Sequence, residues 1–66
     1  MNVSKLKAKI VEREMNVESL AAAIGVDRSS LYRKLNNAEK ITIGEASRMK
    51  VVLLMTDMEA HDIFLT

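Results

Sequence analysis

The chain has 66 residues, of which 48% are hydrophobic and 29% are charged, and its formal net charge is +1. This composition is typical of a small globular domain and argues against an intrinsically disordered chain. The sequence contains no cysteine and one histidine, His61, which excludes disulfides and cysteine-based zinc sites. We therefore predict a single domain over residues 1–66, with no metal or other cofactor.

The small net charge conceals an asymmetry along the chain. Residues 1–50 carry ten basic and six acidic side chains, whereas residues 51–66 carry three acidic side chains and no basic one. A basic body followed by an acidic, apolar tail favours two surfaces with different roles. Ordinary scatter of charged residues explains the same pattern equally well.

Membrane insertion and export are not expected from the sequence. No fully apolar run is longer than five residues, the length of Val51–Met55, which is far too short to span a bilayer. Lys5, Lys7 and Lys9 interrupt any apolar segment that a signal peptide would need. We therefore expect a cytoplasmic protein with no membrane partner.

A first helix is predicted from an apolar stripe near the start of the chain. Val3, Leu6 and Ile10 recur at the spacing of one helical face. Ser4 is a good N-cap residue, and the helix is predicted to end near residues 14–15.

The next two helices are predicted from their capping residues. Asn16 precedes a second helix, Val17–Ile24, which stops at Gly25 because glycine tolerates the positive φ of a helix end. Asp27 precedes a third helix, over residues 28–36. Its inward-facing side chains are Leu31 and Leu35, and it ends at Asn36 and Asn37.

Two capping boxes predict the last two helices. Thr42 with Glu45, and Thr56 with Glu59, have the spacing in which the threonine and the glutamate each bond the other residue's amide. The fourth helix is predicted to run to about Leu54, and a short fifth helix follows Thr56. The apolar face predicted for the fourth helix contains Ile43, Ala46, Met49 and Leu53.

The tail after the fourth helix is unusually apolar. These side chains either complete the core or form a seam between two copies of the chain, and we expect some of each. The side chains concerned are Met55, Met58, Ile63, Phe64 and Leu65.

The stretch from Val17 to Asn36 is the most informative for function. Two short helices that cross at a steep angle need a small residue at the contact, such as Ala21, and a flexible residue in the turn, such as Gly25. Val26 then fills the gap between the helices. The exposed side of the second helix of this pair is left with side chains that can bond base edges and phosphates. These are Arg28, Ser29, Tyr32 and Arg33.

This arrangement resembles the helix-turn-helix of the lambda-repressor-like family, which includes phage repressors, Cro proteins and many small bacterial regulators. The family's Ala-x-x-x-Gly signature matches Ala21 and Gly25, and the likeness covers nearly the whole chain. The resemblance implies an all-α fold of five short helices that binds double-stranded DNA. Three positions depart from the family pattern: Val17 stands where a phosphate-binding glutamine is common, Lys34 where an inward apolar residue is common, and Asn37 where a glycine commonly follows asparagine.

The resemblance also implies roles for individual residues. The base-reading positions of the family match Arg28, Ser29 and Arg33. Contacts to the DNA backbone are implied for Asn16, Tyr32, Asn36, Asn37 and Lys40. Solvated surface positions are the alternative for the two arginines, and a local backbone contact is the alternative for Ser29.

The sequence therefore predicts a sequence-specific transcriptional regulator of the phage or prophage Cro/repressor type. It would place the helix at about residues 28–36 in the major groove and bind an inverted repeat as a homodimer. The alternative is a helix-turn-helix module that binds protein, such as an antirepressor or assembly factor. We do not expect an enzyme, since no catalytic constellation is evident, and no small-molecule ligand is indicated.

Overall fold

The computed structural model describes residues 1–37 and 41–65, with the side chain of residue 37 left out. Within that part the chain forms five short α-helices and no strand. They are α1 (Val3–Glu12), α2 (Val17–Ile24), α3 (Arg28–Asn37), α4 (Ile43–Val52) and α5 (Asp57–Phe64). The prediction of an all-helical chain with five short helices is confirmed. No helix in the described ranges has the length and apolar character needed to cross a bilayer.

All five helices contribute aliphatic side chains to one core. The largest fully buried side chains are Leu6, Leu20, Leu31, Met49 and Leu53. Burying a side chain of this size stabilises a fold by roughly 1.5–3 kcal/mol, which makes these residues the main source of stability. Two tail residues, Met55 and Ile63, are also buried and belong to the core, whereas Met58 and Leu65 are exposed.

The bounds of α1 differ from the prediction at both ends. The N-cap is Asn2, whose side-chain oxygen accepts the amide of Lys5 at 3.0 Å, so Ser4 lies inside the first turn. Asparagine caps a helix as well as serine does, so both positions were adequate caps by sequence. The helix ends at Glu12 because the next residues turn back onto the last carbonyl groups, with Glu14 in the left-handed region at φ 56°.

The end of α4 repeats this geometry and also comes earlier than predicted. The amides of Leu54 and Met55 donate to the carbonyls of Val51 and Lys50, and Leu54 has φ 52°. These bonds form the usual motif by which a left-handed residue ends a helix. Glycine is the usual residue at this position, so both Glu14 and Leu54 hold a backbone conformation that their side chains disfavour.

Replacing Leu54 by glycine is expected to stabilise the protein by about 1 kcal/mol, because the left-handed region costs an ordinary residue about 1–2 kcal/mol. The leucine side chain is 68% exposed, so little packing is lost. Urea unfolding measures the change. Ala8→Gly, at an exposed position inside α1, is the matched control and should destabilise by about 1 kcal/mol. Destabilisation by both substitutions would contradict the argument.

The predicted apolar face of α4 was wrong at one position. Met49 and Leu53 are buried as predicted, but Ile43 is 88% exposed and Glu45 takes an inward place. Ile43 is the first residue of the helix and projects beyond the core, whereas Glu45 is drawn inward by hydrogen bonds to Lys34 and Thr42.

Ion pairs connect α1 with α5 and α4 with α5. Lys9 Nζ lies 2.5 Å from Glu59 of α5 and 2.7 Å from Glu12 of its own helix. Lys50 of α4 pairs with Asp57 at the start of α5. The Lys9 side chain is only 8% exposed, so it is an internal group rather than part of a solvated basic surface.

Acidification is expected to destabilise the protein between about pH 4.5 and pH 2. The bond from Lys9 lowers the pKa of Glu59 from its ordinary 4.5 to about 2. A carboxylate with a lowered pKa stabilises the fold above its unfolded pKa, and that stabilisation is lost as the pH falls through the folded pKa. The test is the thermal unfolding midpoint of wild type and Glu59→Gln between pH 6 and pH 2.5.

In this test Glu59→Gln should lower the midpoint at pH 6 and flatten its pH dependence, because glutamine keeps the capping oxygen but loses the charge. Glu14→Gln, which removes an exposed carboxylate, is the control and should retain the wild-type slope. An unchanged slope in Glu59→Gln would contradict the assignment.

Candidate nucleic-acid interface

A tight turn joins α2 to α3. Gly25 takes φ 77°, and the amides of Gly25 and Val26 donate to the carbonyls of Ala22 and Ala21. Val26 is partly buried against the core, and Ala21 is buried. Asp27 then caps α3, because its side chain accepts the amide of Ser29 at 2.9 Å. The conformations predicted for this turn are therefore present.

Burial of two leucines fixes which side of α3 faces outward. Leu31 and Leu35 are 1% and 3% exposed, so they anchor the helix to the core. With 3.6 residues per turn, the opposite side of the helix carries Ser29, Arg33 and Asn36. All three are exposed. We call these three residues the outer face of α3.

Arg28 lies at the edge of the outer face, on the side next to α2. Its Nη1 atom is 3.4 Å from a carboxylate oxygen of Glu18, and both side chains are about two-thirds exposed, at 63% and 67%. Glu18 was not among the predicted site residues. The spacing of the two residues in the sequence gives no signal for this pair, since only the crossing of α2 and α3 brings them together.

The other residues predicted to read bases have hydrogen-bond partners close to them in the sequence. Arg33 Nη2 donates to the hydroxyl of Ser30, one turn back, at 3.2 Å. Ser29 uses its backbone amide for the cap, and its side chain is exposed. Tyr32 is 47% exposed and lies beside the arginines on the same helix. The predicted base-reading residues Arg28, Ser29 and Arg33 are therefore all exposed residues of α3.

Asn16 is the N-cap residue of α2. Its side-chain oxygen accepts the amide of Ser19 at 2.8 Å, while the Ser19 hydroxyl accepts the amide of Asn16 at 3.0 Å. The side-chain NH₂ group of Asn16 is the part that remains suited to a phosphate oxygen. Asn37 ends α3, but its side chain and the whole of Lys40 lie outside the described residues.

Two contacts from α4 position the α2–α3 pair. Lys34 Nζ donates to both carboxylate oxygens of Glu45, at 2.8 and 2.6 Å, which fastens α3 to α4. Arg48 Nε donates to the carbonyl of Ile24 at 2.9 Å, at the end of α2. Lys34 therefore has a structural partner, and Leu35 takes the inward role, as the sequence indicates.

Glu45 is the centre of this arrangement. Besides Lys34, it accepts the amide of Thr42 at 2.9 Å as part of the α4 capping box. The bonds from Lys34, and next the amide of Thr42, lower the pKa of Glu45, so it stays ionised at neutral pH. Its capping box was predicted from the sequence, but its ion pair across the fold was not.

The electrostatic character of this surface is modest. Arg28 and Arg33 supply positive charge, while Glu18 and Asp27 supply negative charge beside them. The surface is rich in hydrogen-bond donors and acceptors but is not strongly basic. Such a surface suits selective hydrogen bonding better than bulk attraction to phosphate.

Over the described ranges, no group of three or more acidic or histidine side chains has the arrangement of a metal site. Comparison with models of known protein families, with curated proteins and with solved structures gives no match.

Proposed function

We propose that the protein is a sequence-specific DNA-binding transcriptional regulator of the phage or prophage Cro/repressor type, with a lambda-repressor-like helix-turn-helix formed by α2 and α3. The observation that carries this proposal is the outer face of α3, a row of exposed polar side chains opposite two buried leucines. A helix of this kind fits the major groove, where each base pair presents a distinct pattern of donors and acceptors.

In this proposal α3 lies in the major groove, with its N-terminal half against the base edges. Arg28 and Arg33 read bases, and Ser29 is a lesser reader. The remaining residues of the proposed interface position the DNA backbone. They are Asn16, Tyr32 and Asn36, together with Asn37 and Lys40 from the sequence-based proposal.

The proposed unit on DNA is a two-fold homodimer on an inverted repeat. An open groove of about 680 Å³ between α4 and α5 is its proposed contact surface. Exposed Ile43 and Leu65 border the groove, and the charges of Lys50 and Asp57 within it neutralise each other. A second copy would bring the same largely apolar surface, in which these two charges cancel, so the pairing meets no net electrostatic repulsion.

Ile43→Glu is expected to abolish dimer formation, because two added carboxylates would be buried without partners at the seam. Sedimentation equilibrium over a range of protein concentrations measures the oligomeric state. Val11→Glu is the control, since Val11 is 72% exposed on α1 and does not line the groove. Equal weakening by both substitutions would place the contact elsewhere.

Selection from a random duplex pool, followed by titration of the enriched sequence at two salt concentrations, tests the proposed function. We expect an enriched inverted repeat, with half-sites roughly 34 Å apart, whose affinity falls with salt. Lack of enrichment, with only feeble salt-sensitive binding, would reject the proposal.

A protein-interaction module is the second candidate. It is favoured by exposed apolar side chains where α4 passes into α5, namely Val51, Leu54 and Met58. It is also favoured by the internal pairing of three lysines from the basic part of the chain, Lys9, Lys34 and Lys50. A module of this kind would lack specific, salt-dependent binding to DNA.

A further inference from the structure

The ion pair between Glu18 and Arg28 stands at the edge of the proposed reading surface, where an acidic group is unexpected. A carboxylate close to DNA is repelled by phosphate, so it needs a compensating role there. Glu18 belongs to the first turn of α2, and Arg28 is the first residue of α3. The pair therefore joins the N-terminal ends of the two helices that the proposed function brings to DNA.

The geometry leaves part of the guanidinium group available. Nη1 of Arg28 lies 3.4 Å from a carboxylate oxygen of Glu18, its ion-pair partner in the part of the chain that the structure describes. Arginine has five N–H groups, so Nε and Nη2 remain for another contact. Two parallel N–H donors are what the O6 and N7 acceptors of guanine require.

In the free protein this pair is exposed, and it restrains Arg28 only weakly. Docking on a duplex removes water from both side chains, and the attraction between them strengthens as the surrounding dielectric falls. The carboxylate also repels the neighbouring phosphates. The guanidinium is therefore favoured in the position beside Glu18 over one that follows the DNA backbone.

We infer that Glu18 is a positioning residue for specificity: it holds Arg28 toward a guanine edge and away from the phosphates. The inference rests on the proposed function and deepens it. In this role, Glu18 converts Arg28 from a cation that binds any duplex into one that discriminates at one base pair. It also assigns a role to an acidic residue that weakens overall affinity for DNA.

The test compares Glu18→Gln, Arg28→Ala and the double variant with wild type. The probes are the selected duplex, the same duplex with each base pair changed in turn, and a random duplex, titrated by fluorescence anisotropy at two salt concentrations. Glu14→Gln is the matched control, since it removes an exposed carboxylate from the turn before α2. Circular dichroism confirms that each variant is folded.

In Glu18→Gln we expect discrimination at the base pair read by Arg28 to fall about tenfold, with tighter binding to random duplex. The slope of log affinity against log salt on random duplex should steepen by about 0.9, for one added phosphate contact. In the Arg28→Ala background the same change should leave discrimination unaltered. Glu14→Gln should leave both the discrimination and the slope as in wild type.

Unchanged discrimination in Glu18→Gln, or an equal loss of discrimination in the Arg28→Ala background, would overturn the inference while leaving the proposed function intact. The wild-type selection separates the two failures. If wild type enriches no sequence, the proposed function fails, and the inference fails with it.

Discussion

Truncation of Leu31 to alanine is expected to lower the free energy of unfolding by about 3 kcal/mol, within the range of about 2–5 kcal/mol for buried leucines. Leu31 is 1% exposed and is the residue through which the first half of α3 joins the core. A single core of this size rarely supplies more than about 3–5 kcal/mol in total. The variant should therefore be largely unfolded at 25 °C, as measured by circular dichroism and urea titration.

Two further substitutions test whether the effect of Leu31→Ala comes from the loss of buried side-chain volume. Leu31→Met keeps the volume and should cost less than about 1.5 kcal/mol. Tyr32→Ala removes a larger side chain from the next position, but that side chain is 47% exposed, so the loss should be smaller than for Leu31→Ala. Cooperative unfolding of Leu31→Ala near the wild-type midpoint would show that α3 is not anchored as described.

Arg28→Ala is expected to weaken binding to the selected duplex by about 1–3 kcal/mol and to relax preference at one base pair, because the proposed function assigns Arg28 a bidentate contact to guanine. Stability should change little, since the Arg28 side chain is 63% exposed and makes one surface ion pair. Titration of the selected duplex and its single-base variants measures both quantities.

Lys7→Ala provides the comparison for Arg28→Ala, because it removes one exposed positive charge from α1 without touching α3. It should leave the order of base preference unchanged. If Arg28→Ala weakens binding to the selected and random duplexes equally, then Arg28 contacts phosphate and the base-reading role is wrong.

The helix boundaries could be predicted from sequence where a short-range bond determines them. The capping boxes of Thr42 and Thr56, the cap at Asn16 and the turn at Gly25 all involve residues within five positions of one another. The same local reasoning went wrong at Ser4, because Asn2 offers an equally good cap earlier in the chain. When two residues are equally good N-caps, contacts elsewhere in the fold decide which of them begins the helix.

For the candidate site, the sequence predicted which side of α3 is exposed, because the helical repeat determines it, but not the contacts between helices. The spacing of Leu31 and Leu35 was enough to identify the exposed side of α3. The contacts that hold α2 and α3 in place join residues far apart in sequence, such as Arg48 with Ile24 at the end of α2. Glu18 was missed for the same reason, since a charged residue near a helix start is normally explained by the helix dipole.

The hydrogen bonds of Glu45 and Arg48 bear on which amino-acid substitutions the fold tolerates. Leu31, Leu35 and Lys34, together with groups of α4, hold α2 and α3 in place. None of these residues belongs to the outer face. Substitutions at Ser29, Arg33 and Asn36 therefore leave these contacts intact. If α3 reads DNA as proposed, new base preferences are therefore accessible through these three positions with little loss of stability.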